Sequence, residues 1–395
     1  MSDIQNIYFV ESYDPNINGV SIYEQQMINI LSLREDVALT IIIDGSPTER
    51  PIQSIRDGIR IIYYPLVRYN KTEIISSFLM ETISTSKNMI FVVNYFPGSF
   101  MAEAINTVFP KSTLVHVVHD MPWLTLCKGD IEKYISYMKT YNYASSESMG
   151  KKIYYITIDM INTFHIAYYI IALCQDSFEV ITKLCNIPEH KVILIHNGLP
   201  DTFNKVNKME CNLLRKSWNL PLEKKIIVVT GRLSLSKGTD RILHLMCELF
   251  KHDLLSKWHL VYAGPDKTNN WFPTKFNPHI THLGPFSQKE VIMLLSISDV
   301  GIIASRHEQC SYSGIEMLMC NLPVLFVPGA FGVDNMFTEV GIPYEQWIPF
   351  LKKRLTSTYN NCKSRKCFIG SYTFNEMKSR YFNLIDNIKN GQKDE

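Results

Sequence analysis

The chain has 395 residues, 46% of them hydrophobic, with 40 Lys and Arg against 38 Asp and Glu for a formal net charge of +2. That length suits two domains, each able to bury its own core, and the apolar share excludes a disordered chain. A charge so near zero gives no ground for a nucleic-acid partner. The charge is uneven, however: residues 1–196 hold 15 Lys and Arg against 20 Asp and Glu, leaving 25 against 18 for the remainder. A basic second half suits an anionic ligand. The nine cysteines, at 127, 174, 185, 211, 247, 310, 320, 362 and 367, form no Cys-x-x-Cys pair. With no secretory leader, they are expected to be free thiols of a cytoplasmic protein.

Ile7-Tyr8-Phe9-Val10 predicts a first strand. A loop, Asp14 to Gly19, follows it, and then a helix carries Val20, Tyr23, Met27, Ile30 and Leu31 at helical spacing. Short apolar or β-branched runs at 38–43, 59–64, 89–93 and 113–118 predict further strands, mostly separated by helix-length segments. This alternation indicates an α/β chain with a mainly parallel, doubly wound sheet. The segment 123–155 is expected to be helical with uncertain limits. Ile153 to Cys174 is the most apolar long stretch, but Asp159, Asn162 and His165 interrupt it, so it is expected to be a buried helix and not a membrane span. Peripheral membrane contact stays open, with Lys151-Lys152 as a local basic patch.

A strand at 192–195 leads into His196-Asn197-Gly198-Leu199-Pro200, where Asn-Gly and proline mark a domain boundary. A second α/β series opens at Ile226-Ile227-Val228-Val229. After Gly238, the stripe Ile242, Leu245, Met246, Leu249 and Phe250 predicts a helix packed on a sheet. More strands are expected at 259–263, 280–283, 300–304 and 323–327, and a final helix between Tyr372 and Ile388.

Two loops carry the chemistry. Thr230-Gly231-Arg232-Leu233-Ser234-Leu235-Ser236-Lys237-Gly238 follows one predicted strand, and His307-Glu308-Gln309-Cys310-Ser311-Tyr312-Ser313-Gly314-Ile315-Glu316 follows another. If both strands are parallel, their C-terminal ends open on one crevice. Glycines there permit close backbone approach, Arg232 and Lys237 offer a fork and a point charge to a diphosphate, and Glu308 and Glu316 offer acceptors to hydroxyl groups. The plainer readings are a solvated basic loop and, for Glu316 in a first helical turn, a charge that meets the helix dipole. Gly19 reads equally as a turn glycine, His119 as a structural histidine at a strand end, and Leu283-Gly284-Pro285-Phe286 as a strand-to-helix turn. The chain has no Gly-x-Gly-x-x-Gly, no P-loop and no Asp-x-Asp for a metal-bound diphosphate.

The paired motifs resemble retaining nucleotide-sugar glycosyltransferases of family four. The resemblance implies the GT-B fold, two Rossmann-like doubly wound domains facing a central cleft. Residues 1–196 would bind the acceptor and 197–370 the donor, while 371–395 would form a helix returning to the first domain. It implies that Arg232 and Lys237 neutralise the donor diphosphate, that Glu308 and His119 face the transferred sugar, and that Glu316 holds the ribose. Gly19 and Gly231 would approach the diphosphate, the backbone at Leu283, Gly284 and Phe286 would line the base pocket, and Cys310, Ser311 and Tyr312 would join the donor site, with free backbone N–H groups near Ser311 to Gly314 aimed at the phosphate. Where the family often has Phe-Gly after the first glutamate, this chain has Cys310-Ser311; where it often has two glycines near the first strand, this chain has Asn18-Gly19.

The implied reaction is sugar transfer from a nucleoside diphosphate sugar to a hydroxyl with retention and without metal or cofactor. A UDP-sugar is favoured by family frequency, and the acceptor is a glycan, lipid or peptide. The run Glu308 to Tyr312 with Ile315-Glu316-Met317 also resembles bacterial transferases of peptide natural-product systems, which points to a peptide. The alternatives are a degenerate nucleotide-binding scaffold and a nucleotide-sugar epimerase.

Overall fold

The computed structural model describes residues 4–14, 19–95, 98–140, 148–203, 207–265, 271–356 and 362–391. The chain forms two compact units, Met1–His196 with Met377–Glu395, and Asn197–Glu376.

The first unit runs β1 (Gln5–Ser12), α1 (Gly19–Leu31), β2 (Val37–Ser46), β3 (Ile52–Arg56), β4 (Ile59–Pro65), α2 (Lys71–Thr82), β5 (Met89–Val93) and α3 (Ser99–Val108). It continues with β6 (Thr113–Val118), α4 (Pro122–Leu126), α5 (Ile131–Thr140), α6 (Ser148–Ile166), β7 (Tyr169–Ala172), α7 (Gln175–Glu179) and β8 (Val192–Leu194). The sheet order is β3-β4-β2-β1-β5-β6-β7-β8. All pairs are parallel except β3 with β4. Central strands covered on both faces are nearly continuous apolar runs; β5 is apolar and buried along its whole length, and β6 is buried throughout with Thr113 and His116 as its polar residues.

Strand β3 is absent from the sequence expectations. All five of its residues are exposed, so it has no buried face to mark it. It hangs on a two-residue turn, Asp57-Gly58, with φ of 52° and 78°, the mirror-image turn that matches strand twist. The apolar stretch 153–174 is also corrected. It is not one helix: α6 stops at Ile166 and β7 pairs with β6 and β8.

In the second unit, α8 (Lys208–Ser217) precedes β9 (Lys225–Thr230), α9 (Thr239–Lys251), β10 (Trp258–Ala263), β11 (Ile280–Gly284), α10 (Gln288–Ser296) and β12 (Val300–Ile303). Then come α11 (Tyr312–Met319), β13 (Val324–Phe326), α12 (Asp334–Phe337), β14 (Ile342–Pro343), α13 (Trp347–Arg354), α14 (Cys362–Ser371) and α15 (Phe374–Gly391). The order β11-β10-β9-β12-β13-β14 is parallel throughout. Ile242, Leu245, Met246 and Leu249 of α9 pack with Ile227 and Leu260 in the core, each contributing about 1.5–3 kcal/mol by leaving water. Phe250, expected in that stripe, is 60% exposed instead; it lies one step past Leu249, off the buried face.

From Met377 onward α15 belongs to the first unit. Lys389 Nζ reaches Asp36 Oδ2 at 2.8 Å, Arg34 Nη1 reaches Asp386 Oδ1 at 2.7 Å, and the Tyr381 hydroxyl bonds to that of Tyr23. Among the described residues, no helix is long and apolar enough to cross a membrane.

Candidate active site

The second sheet reverses its order of growth beside β9. The chain leaves β9 toward β10 on one side, and leaves β12 toward β13 on the other. The loops after β9 and β12 therefore part, and at such a switch point a parallel sheet opens a crevice at its carboxyl edge. These are the two loops that hold Arg232, Lys237 and Glu308. Neighbouring strand ends are tied sideways: Gly231 N–H donates to Ala263 O at 3.0 Å, and Gly264 N–H to Gly284 O at 2.9 Å.

Gly238 lets the two loops touch. Its φ is +71°, and a Cβ there would lie 1.9 Å from the Ala304 carbonyl oxygen. Gly332 does the same on the other side, where a Cβ would lie 2.0 Å from Glu308 O. Arginines lock the approach. Arg306 makes a two-point bond to Asp240, at 2.8 and 2.7 Å, and Arg241 Nη1 donates to Ala304 O at 2.9 Å. Sequence reasoning misses Arg306 and Arg241, because nothing local marks a cation whose partner is some 60 residues away.

Lys237 Nζ donates to Glu308 Oε1 at 2.6 Å. Ser305 Oγ donates to the same oxygen at 2.6 Å, and Glu308 N–H donates to Phe331 O at 2.8 Å. Burial pushes the Glu308 carboxyl up, but Lys237, Ser305 and His307 outweigh it and hold it below the usual carboxylate range. Glu308 is thus an anion with one oxygen saturated. Arg232 is exposed on the loop that carries Lys237, and among the described contacts it touches neither Lys237 nor Glu308.

Glu316 is set apart. It is the fifth residue of α11, not in the first turn as expected, and the helix is capped instead by Ser311, whose side chain accepts from Gly314 N–H at 3.3 Å. Dipole capping therefore does not account for this glutamate. It is 5% exposed. Burial pushes its carboxyl up to about 8, and a hydrogen bond with Gln288 of α10 pulls it partly back. Tyr312 is buried, and the Cys310 carbonyl accepts from Asn197 Nδ2 at 2.9 Å. Leu283 and Gly284 end β11, with Gly284 at φ +77°, and the Phe286 ring lies 5.2 Å from that of Trp218.

A buried acid of this kind makes stability depend on pH. Between about pH 4.5 and 8 the folded protein keeps a proton that the unfolded chain releases, so stability falls as pH rises through that window. Glu316→Gln removes the slope and at pH 8 is expected to be roughly 1–4 kcal/mol more stable than wild type. Urea unfolding at pH 5.5 and 8 measures it; equal pH dependence in both proteins would refute the assignment.

His119 and Gly19 belong to the first unit. Gly19 is the exposed first residue of α1; Pro15 to Asn18 of the expected loop lie outside the described residues. His119 follows β6, and its Nε2 bonds to Asn94 Oδ1 at 2.6 Å. Burial, with His116 nearby, lowers it to about 3, so it is neutral. It lines a cavity of about 980 Å³ at the carboxyl edge of the first sheet, where the order again reverses, between β1 and β5. No group of three or more His, Cys, Asp or Glu among the described residues is placed to hold a metal ion.

Residues 212–341 match the family described as Glycosyl transferases group 1. Sucrose-phosphate synthase from Thermosynechococcus elongatus superposes with a TM-score of 0.74 at 13% identity, over 98% of this chain and 100% of that one. HepE of Anabaena, in complex with UDP and glucose, gives 0.70 at 12% identity over 96% and 99%. A glycosyltransferase from Rickettsia africae gives 0.67 at 16% identity over 98% and 99%. A search of curated proteins finds no matching sequence. The chain has the GT-B fold of two Rossmann-like units, and the stretch that matches group 1 glycosyltransferases lies in its second unit.

Proposed function

We propose that the protein is a retaining glycosyltransferase that moves a sugar from a nucleoside diphosphate sugar to an acceptor hydroxyl without a metal ion. The observation that carries this reading is the Lys237–Glu308 contact at the switch point of the second sheet, within the stretch that matches group 1 glycosyltransferases. A lysine there supplies the charge that a departing diphosphate needs, and Arg232, exposed on the same loop, supplies a second. The positive end of the α9 dipole adds to the field.

As the bond from sugar to phosphate breaks, negative charge grows on the diphosphate and positive charge on the anomeric carbon. Fixed cations stabilise the diphosphate more at that moment than in the bound donor, which is the condition for a faster chemical step. The acceptor oxygen attacks the anomeric carbon on the face from which phosphate departs, and its proton passes to a phosphate oxygen. Glu308, anionic and held by Lys237 and Ser305, orients the sugar hydroxyls. Glu316, protonated at neutral pH, meets the two ribose hydroxyls with its carbonyl oxygen as acceptor and its O–H as donor. A uridine donor is the first candidate, since Anabaena HepE is in complex with UDP. The first unit would receive the acceptor.

The test is UDP-glucose turnover, scored as transfer to an acceptor panel and as hydrolysis, in wild type, Arg232→Ala and Glu316→Ala. Both variants are expected to lose about tenfold or more in kcat/KM with an unchanged circular-dichroism spectrum. Equal rates in all three proteins contradict the proposal, and UDP binding without turnover of any donor sugar favours a nucleotide-binding scaffold.

A further inference from the structure

We propose that the first-unit cavity accepts a non-anionic polyol, a sugar-like group bearing hydroxyls but neither phosphate nor carboxylate. This rests on the transferase reading above and specifies its acceptor. Among the described residues lining the cavity, five carboxyl side chains, Glu11, Asp14, Glu24, Asp120 and Asp159, face a single ammonium, Lys71. That ammonium sits 4.6 Å over the Phe100 ring. The balance repels a phosphorylated or carboxylated ligand, and like charges brought together cost several kcal/mol.

Charge alone does not choose between an ammonium and a hydroxyl. Two unmatched atoms do. Asn94 is fully buried, spends Oδ1 on His119, and leaves its Nδ2 donor with no partner. Asp159 accepts from Ser99 through Oδ1 and leaves its other oxygen without a donor. An unpaired buried polar atom costs about 1–3 kcal/mol until a ligand meets it. An ammonium only donates and leaves Asn94 unmet. A phosphate dianion only accepts and leaves Asp159 unmet. A hydroxyl does both, and a polyol brings several.

Two further features agree. Tyr13 and Tyr155 line the cavity with 44% and 45% of their surface exposed, which offers aromatic faces to the C–H face of a sugar ring. Burial and the hydrogen bond with Glu24 hold Glu11 in its protonated form, so the two carboxyls share one proton and the wall keeps its excess of acceptors.

Calorimetric titration of the full chain at pH 7 with methyl α-glucoside, glucosamine and glucose 6-phosphate, each with and without saturating UDP, tests the assignment. Methyl α-glucoside is expected to bind about tenfold or more tightly than glucose 6-phosphate and no more weakly than glucosamine, a tenfold ratio being one step of ~1.4 kcal/mol. Tyr155→Ala, at an exposed position, and Asp159→Asn should each weaken that binding about fivefold or more and leave UDP binding as in wild type. Glucose 6-phosphate binding as tightly as the glucoside, glucosamine binding tenfold more tightly, or no sugar binding to a protein that binds UDP would each overturn the proposal. Glucoside binding that both variants weaken, in a protein that does not bind UDP, would support the cavity assignment and reject the transferase.

Discussion

Lys237→Ala is expected to lower the rate of sugar transfer by about 10²–10³-fold, the usual cost of deleting one preorganised group aimed at developing charge. Its ammonium has two duties in the proposed reaction. It faces the departing diphosphate, and it holds the Glu308 carboxylate at 2.6 Å. With the lysine gone, Glu308, 12% exposed in the wild type, keeps only the weaker help of Ser305 and His307, so burial, which already raises its pKa, is expected to prevail.

The wild-type carboxyl, held below its ordinary value, stabilises the fold above about pH 4 and loses that contribution as pH falls through its folded pKa. In Lys237→Ala the sign reverses, and stability falls as pH rises. The loss at pH 7 is expected to be about 1–3 kcal/mol, discounted because Lys237 is 37% exposed. Adding Glu308→Gln should restore that stability and none of the activity. Single-turnover kinetics and urea melts on the two single variants and the double variant separate these effects. If Glu308→Gln rescues transfer in the Lys237→Ala background, the lysine serves only to neutralise its neighbour.

Gly238→Ala is expected to destabilise the protein by about 3–5 kcal/mol and to abolish activity. A methyl at 1.9 Å from the Ala304 carbonyl oxygen meets backbone, which cannot rotate away as a side chain would. The residue also sits at positive φ, where alanine is strained. Relief requires the β9–α9 loop to back away from the β12–α11 loop, parting Lys237 from Glu308. Gly231→Ala is the control, since Gly231 has φ +102° but no atom within 4 Å of the added carbon; it should cost about 1–2 kcal/mol. Thermal melts of the two variants discriminate, and equal losses would mean that backbone strain, not contact between the loops, sets the need for glycine.

Parts of this architecture are legible along the chain. Runs such as Phe91-Val92-Val93 and Ile226-Ile227-Val228 read as strands because a parallel strand covered on both faces is a nearly continuous apolar run. Strand β3 escapes because its faces are open to water, although Asp57-Gly58 marks its turn. Strand β7 escapes because Ile170 and Ile171 extend the apolar run of α6, and a short apolar run has no period that separates strand from helix. Phe250 shows the opposite failure, a helical stripe carried one residue beyond the face the core covers.

By itself the sequence determined an alternating α/β chain with cations in the loop after one strand and carboxylates in the loop after another. These follow from local chemistry: side-chain polarity, β-branching and the turn preferences of Gly and Asn. Only the tertiary structure decided that β9 and β12 lie side by side with their connections diverging, that Lys237 meets Glu308 across 71 residues of chain, and that Glu316 is a buried acid in a second helical turn. Strand order is set by which apolar faces pack together, a sum over many weak contacts. No single residue carries it, so no motif can announce it.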